Sequence, residues 1–174
     1  MMSPETAHSL FVLALRNAHA MERESHELMK WQAVRLRDYP AIEQRIRTHL
    51  DETQDQLQRL EQCLHSLDER PSLLKDAALS LLGNLTATSN AMGEDEIIKN
   101  MFSNYAFEHY EIAAYKSLAR MAQELGFEQA KALLEESRRE EQRMAAWIDR
   151  RIDPVTLAYM QSIDQFQQSV AALG

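Results

Sequence analysis

A chain of 174 residues and 20.1 kDa has the length of one domain, and four glycines plus four prolines are too few for a β-sandwich or a disordered linker. A single cysteine excludes a disulfide framework and a cysteine-built zinc site. Nineteen basic against 27 acidic residues leave a net charge of −8, which speaks against a nucleic-acid backbone binder.

Ser3-Pro4-Glu5 carries a cap, a proline for the first helical position and an acidic first turn, so the first long helix is predicted to start there. Phe11, Leu15, Ala18 and Met29 mark its apolar face. Ser9 to Leu15 followed by Ala18-His19-Ala20 mimics a secretory signal, but Glu5 precedes the run and Arg16 interrupts it, so a cytoplasmic location is expected. No stretch approaches the ~18 apolar residues of a membrane span. Tyr39-Pro40 breaks the first helix, and a second periodic run from Ile42 through Ile46, Leu50, Leu57, Leu60 and Leu64 ends at Glu69-Arg70-Pro71. Leu73 to Leu85 reads as a short helix, and Thr86 to Glu94 as a loop. The third long run carries Ile97, Met101, Tyr105, Ile112 and Tyr115 and stops before Gly126. The fourth carries Ala130, Leu134, Ser137, Glu141, Met144 and Ile148. Asp153-Pro154 repeats the cap-and-proline signal and predicts a separate C-terminal helix over about 154–172. Two short connections around a long one make a hairpin, a crossover and a second hairpin. The expectation is an all-α chain forming one domain over 1–174, a ferritin-like four-helix bundle with its core at about 4–152.

Charged residues on the apolar stripes point to chemistry. At about 100° per residue, Glu22 falls among Phe11, Leu15, Ala18 and Met29, and Glu108 among Met101, Ile112 and Tyr115. His49, Thr53 and Gln56 lie in the second stripe, with Glu52 on its border, a position that also suits a solvated rim residue. Ser137 is central on the fourth helix, and Glu140 and Glu141 fall towards opposite edges. His49 fits either a ligand or a hydrogen-bonded core histidine, and Glu111, one turn from Glu108, fits either a ligand or a surface residue. An unpaired buried charge costs several kcal/mol, so such groups pair, protonate or bind metal. Glu22, Glu52, Glu108 and Glu140 together carry four negative charges, which two divalent ions neutralise. Oxygen ligands with an imidazole suit iron or manganese, and a carboxylate-held pair of ions is a use of this bundle. Ala20-Met21-Glu22 also echoes Ala106-Phe107-Glu108, and Glu52 aligns with Glu140, as expected of two hairpins related by a pseudo-twofold.

Leu15-Arg16-Asn17-Ala18-His19-Ala20-Met21-Glu22, His49-Leu50-Asp51-Glu52-Thr53 with Gln56, Phe107-Glu108-His109-Tyr110-Glu111-Ile112 and Glu140-Glu141-Gln142-Arg143-Met144-Ala145 resemble the YciE/YciF family of bacterial ferritin-like proteins, most like its YciE branch. The resemblance spans about Phe11 to Ile152. It implies a rubrerythrin-like bundle, a dinuclear metal site, a homodimer and a stress-associated role without an established reaction. Carried over to this chain, Glu22, Glu52, Glu108 and Glu140 are the implied ligands, with His49 and Glu111 next. The chain departs from the Glu-x-x-His pattern of ferritin-like oxidases: Asp55 follows Glu52, Arg143 follows Glu140, and His49-x-x-Glu52 runs in reversed order. Three function classes follow. The favoured one is a metal-binding stress protein without demonstrated turnover. The others are a di-iron oxidase or peroxidase, and a non-catalytic interaction bundle using the apolar positions Ala158, Met160, Ile163 and Phe166. No nucleic-acid or membrane partner is expected.

Overall fold

The computed structural model describes residues 3–37, 39–71 and 95–171, and among them forms four helices and no strand. These are α1 (Pro4–Arg35), α2 (Pro40–His65), α3 (Glu96–Glu124) and α4 (Glu128–Ala171). The starts and stops follow local chemistry. Ser3 Oγ accepts the Thr6 N–H at 3.1 Å, and Pro4 takes the first helical position, where a missing N–H costs nothing. Pro40 does the same for α2. At the end of α3, Gly126 adopts φ 75°, and the Phe127 N–H reaches back to the Ala122 carbonyl at 2.8 Å, closing the helix with a Schellman-type turn.

α1 packs chiefly on α2 and α3 chiefly on α4; the two hairpins then meet through α1–α3 and α2–α4 contacts. The connection between α2 and α3 is the long one. The short helix expected over Leu73–Leu85 and the loop expected over Thr86–Glu94 lie outside the described residues.

One boundary differs from the sequence expectation. No separate C-terminal helix starts at Asp153-Pro154; α4 runs through Pro154 to Ala171. An interior proline forfeits a backbone hydrogen bond, a cost on the order of 3 kcal/mol. Ile152, Val155 and Tyr159 pack on the apolar cluster on both sides of that point, and their burial offsets the loss. Leu157 and Met160, on the same stretch, are exposed. No described helix is long and apolar enough to cross a membrane.

The core is split into two apolar layers. One gathers Phe11, Leu15, Leu60, Leu64, Tyr115 and Leu134; the other gathers Met29, Ile46, Met101, Met144 and Ile148. On every helix buried polar residues lie between the layers: Glu22 and Ser25; His49, Thr53 and Gln56; Ser103, Asn104, Glu108 and Glu111; and Ser137, Glu140 and Glu141. Phe11, fully buried and stacked on Phe127 with ring centroids 5.9 Å apart, anchors the first layer. Phe11→Ala is expected to lower stability by about 3–5 kcal/mol through lost burial and the residual cavity. Urea unfolding should show this as a lower midpoint with an unchanged slope.

Candidate metal centre

Glu22, His49, Glu108, Glu111 and Glu141 are the most deeply buried titratable groups of the polar layer, each no more than 2% exposed. Helical spacing places them there. Ser137, Glu141, Met144 and Ile148 follow intervals of four, three and four, so Glu141 belongs to the buried stripe of α4 as fully as its apolar neighbours. Glu108 and Glu111, three apart, project from one face of α3. His49 Nε2 lies 3.3 Å from Glu108 Oε1 and 3.4 Å from Glu141 Oε2. One ligating atom from each of His49, Glu108, Glu111 and Glu141 can be chosen so that all lie within 4.8 Å of one another. Glu22 joins from α1, where its Oε1 accepts the buried Tyr115 hydroxyl at 2.7 Å.

Glu52 and Glu140, expected among the ligands, are engaged differently. Glu140 is gripped by Arg59 through two bonds of 2.7 Å, with Gln56 Nε2 donating at 3.1 Å. Gln56 also donates a short hydrogen bond to Glu141, bridging the two neighbouring carboxylates. Glu141, not Glu140, therefore faces the cluster. Glu52 accepts from Arg45 and from His49 Nδ1, both at 2.9 Å. This explains the reversed His49-x-x-Glu52 order: the carboxylate holds one ring nitrogen and leaves the other facing Glu108 and Glu141. A histidine that ligates a metal is commonly oriented in this way. The pseudo-equivalent pair Glu52 and Glu140 are thus both held by arginines of α2.

The electrostatics of the layer are unbalanced. Burial pushes the Glu111 carboxyl well above the usual carboxylate range, and Glu22, Glu141 and Glu108 push it further. Burial and the Glu141 charge do the same to Glu22, against the Tyr115 hydrogen bond. Glu108 is raised to about 8, chiefly by burial, with His49 opposing. Burial alone would depress His49, but Glu108, Glu141 and Glu52 outweigh it and raise it well above its ordinary value. Glu141 is also desolvated, yet His49 and the hydrogen bonds it accepts hold it below the ordinary value. Glu52, half-buried, is held at about 2 because His49 and Arg45 overcome its desolvation.

The donor set fits a hard divalent cation. Glu22 Oε2, Glu108 Oε2, both oxygens of Glu111, Glu141 Oε2 and His49 Nε2 are buried without a hydrogen-bond partner. Buried polar atoms are nearly always paired, so these six orphaned ligand atoms require an explanation, and a cation supplies it. Oxygen-rich coordination with one imidazole is the ligand chemistry of iron and manganese.

The Arg59–Glu140 pair is linked to the site through Gln56 and is nearly enclosed. Arg59→Leu should cost about 2–3 kcal/mol by leaving Glu140 unpaired, and adding Glu140→Gln should recover most of it. Denaturant unfolding of both variants checks this; additive losses would mean that the pair does not act as a unit.

Comparison with known proteins places this bundle. The family model described as a domain of unknown function, DUF892, matches residues 6–161. The chain belongs to this family. Among relatives, this DUF892 chain is 26% identical over 147 residues to Protein YciF of Escherichia coli strain K12, covering 80% of this chain and 86% of that protein. The crystal structure of a protein from Xanthomonas campestris pv. campestris is similar with a TM-score of 0.77 and 28% identity, over 91% of this chain and 99% of that one. The E. coli stress protein YciF matches in structure with a TM-score of 0.71 at 22% identity, over 94% of this chain and 99% of that one. YcfI from Rhodopseudomonas palustris matches at 0.73 and 25%, over 83% and 93%. These likenesses support the family resemblance read from the sequence and do not single out its YciE branch.

Proposed function

We propose that this DUF892 chain is a metal-binding, ferritin-like protein whose polar layer holds two divalent ions, iron or manganese. Glu22, His49, Glu108, Glu111 and Glu141 would hold them. The single observation that carries the reading is the set of six buried, unpartnered donor atoms converging between two apolar layers. Four carboxylates of the layer match the charge of two such ions. Glu52 would fix the His49 ring, Tyr115 would hold Glu22 in place, and Gln56 would orient Glu141. Bound iron or manganese would supply redox or Lewis-acid chemistry that the side chains lack. The layers above and below keep bulk water away from it. The description of YciF as a stress protein supports a stress-associated role for this chain as well.

Elemental analysis of untagged protein, purified without chelator from cells supplied with iron and manganese, tests the reading. About two ions per chain are expected, as in dinuclear carboxylate bundles. Metal at background level, with no uptake on reconstitution, would remove it. We further propose that the protein is a homodimer, supported by the exposed Leu157 and Met160 on the C-terminal part of α4. Sedimentation that shows only a 20.1 kDa species at tens of micromolar excludes the dimer.

A further inference from the structure

Although the chain is acidic overall, one groove is strongly basic. It lies between α2 and α4, has a volume of about 680 Å³, and is lined by Arg45, Arg139, Arg143 and Arg150, with Glu52 the only carboxylate among its described lining residues and Trp147 part of one wall. Four guanidiniums against one carboxylate leave a local excess of three positive charges in a chain whose net charge is −8. We propose that this groove binds a small anion carrying two or more phosphate groups.

The arginines form a like-charged row within their helix face, with Glu135 and Glu136 one turn before Arg139 and Asp153 one turn after Arg150. Where charges on a helix face alternate in sign at intervals of three and four, they pair. Arg139 and Arg143 are instead like-charged neighbours one turn apart, and Arg150 lies on the same face two turns further on. Arg139 and Arg150 make no ion pair among the described residues, and Arg143, 60% exposed, reaches only Glu52, at 3.9 Å. Arg45 is the one that is satisfied, at 2.9 Å from the same Glu52. Among the described residues, Arg139 and Arg150 thus line one wall without an ion-pair partner, and Arg143 has only a long one.

The geometry selects the ligand. From Arg139 to Arg150 the helix advances about 16 Å at 1.5 Å per residue, so the charges form a row rather than a point. A guanidinium fork pairs bidentately with phosphate, and a row of forks matches several phosphates in line better than one compact anion. A free oligophosphate and the phosphate chain of a nucleotide share this chemistry.

Calorimetric titration of the full-length protein, stripped of metal and dialysed, at about 0.15 M salt tests the proposal. Removing the metal keeps the measurement independent of the buried centre. Inorganic tripolyphosphate is expected to saturate a single site, and Arg139→Gln, Arg143→Gln and Arg150→Gln each to weaken it by about tenfold, the loss of one charge-assisted contact. All three side chains are exposed, so helix content should not change. ATP binding as tightly as tripolyphosphate identifies the phosphate chain alone as the ligand; tighter binding identifies a nucleotide. No saturable tripolyphosphate binding, equal affinity for citrate, or a loss below about twofold in the triple variant overturns the proposal. A short single-stranded oligonucleotide that binds far more tightly than either probe also overturns it, in favour of a nucleic-acid surface.

Discussion

Glu111→Leu is expected to abolish metal uptake and, in the metal-free protein, to raise the melting temperature by about 4–8 °C. Both oxygens of Glu111 are buried and without a hydrogen-bond partner, and its carboxyl is pushed up by burial and by three neighbouring glutamates. A buried polar group left unpaired costs about 1–3 kcal/mol, and leucine, of similar size, removes that cost. In a chain of 174 residues about 2 kcal/mol corresponds to the stated shift. The two effects have opposite signs because a ligand carboxylate burdens the empty bundle and contributes only when a cation is present. Glu22→Ala and Glu108→Ala should likewise lose the metal while keeping helix content. Elemental analysis and thermal melts of the stripped variants decide the matter. Retained metal, or a stripped Glu111→Leu protein that melts lower than the parent, would show that Glu111 serves packing rather than ligation.

The metal-free and metal-loaded proteins are expected to respond to pH with opposite slopes between about pH 5 and 8, above the ordinary carboxylate range near 4.3. Glu22, Glu108 and Glu111 all have folded-state values raised by burial, Glu108 to about 8. Above the unfolded value the folded chain therefore holds more protons than the unfolded chain, and stability falls as pH rises towards the folded values. His49, raised by Glu108, Glu141 and Glu52 against its burial, acts in the same direction above its unfolded value. Each such proton contributes up to about 1.4 kcal/mol per pH unit. Glu52 and Glu141 have depressed values, so their contribution is lost only on acidification below the ordinary carboxylate range. Metal binding reverses the slope, because ligation needs deprotonated carboxylates and a neutral imidazole. Melting temperature against pH, with metal and with chelator at fixed ionic strength, gives the comparison. Parallel slopes would mean that the polar layer binds no metal.

The departures of the structure from the sequence expectation have specific causes. Pro154 read as a helix start because local rules assign it one hydrogen bond to lose; the packing of Val155 and Tyr159 that outweighs that loss is a tertiary quantity. Glu140 and Glu141 are adjacent, so about 100° of helix rotation separates them. The sequence reading left both at an edge, although the spacing of Ser137, Glu141, Met144 and Ile148 already favours Glu141 for the buried stripe. The decision was made across the interface, where Arg59 on α2 captures Glu140 and Gln56 draws Glu141 inward. Glu52 shows the same limit: its border position was legible, but the imidazole and the Arg45 guanidinium competing for its oxygens were not.

By itself the sequence determined the four long helices, their order around a long connection and the burial of Glu22, His49 and Glu108, because the 3.6-residue period writes each helix's buried face into the chain. Only the tertiary structure decided which carboxylates are free to face a cation and which are held by arginines. That choice depends on side chains from different helices meeting across the core, and neither helical period nor sequence spacing records such a meeting.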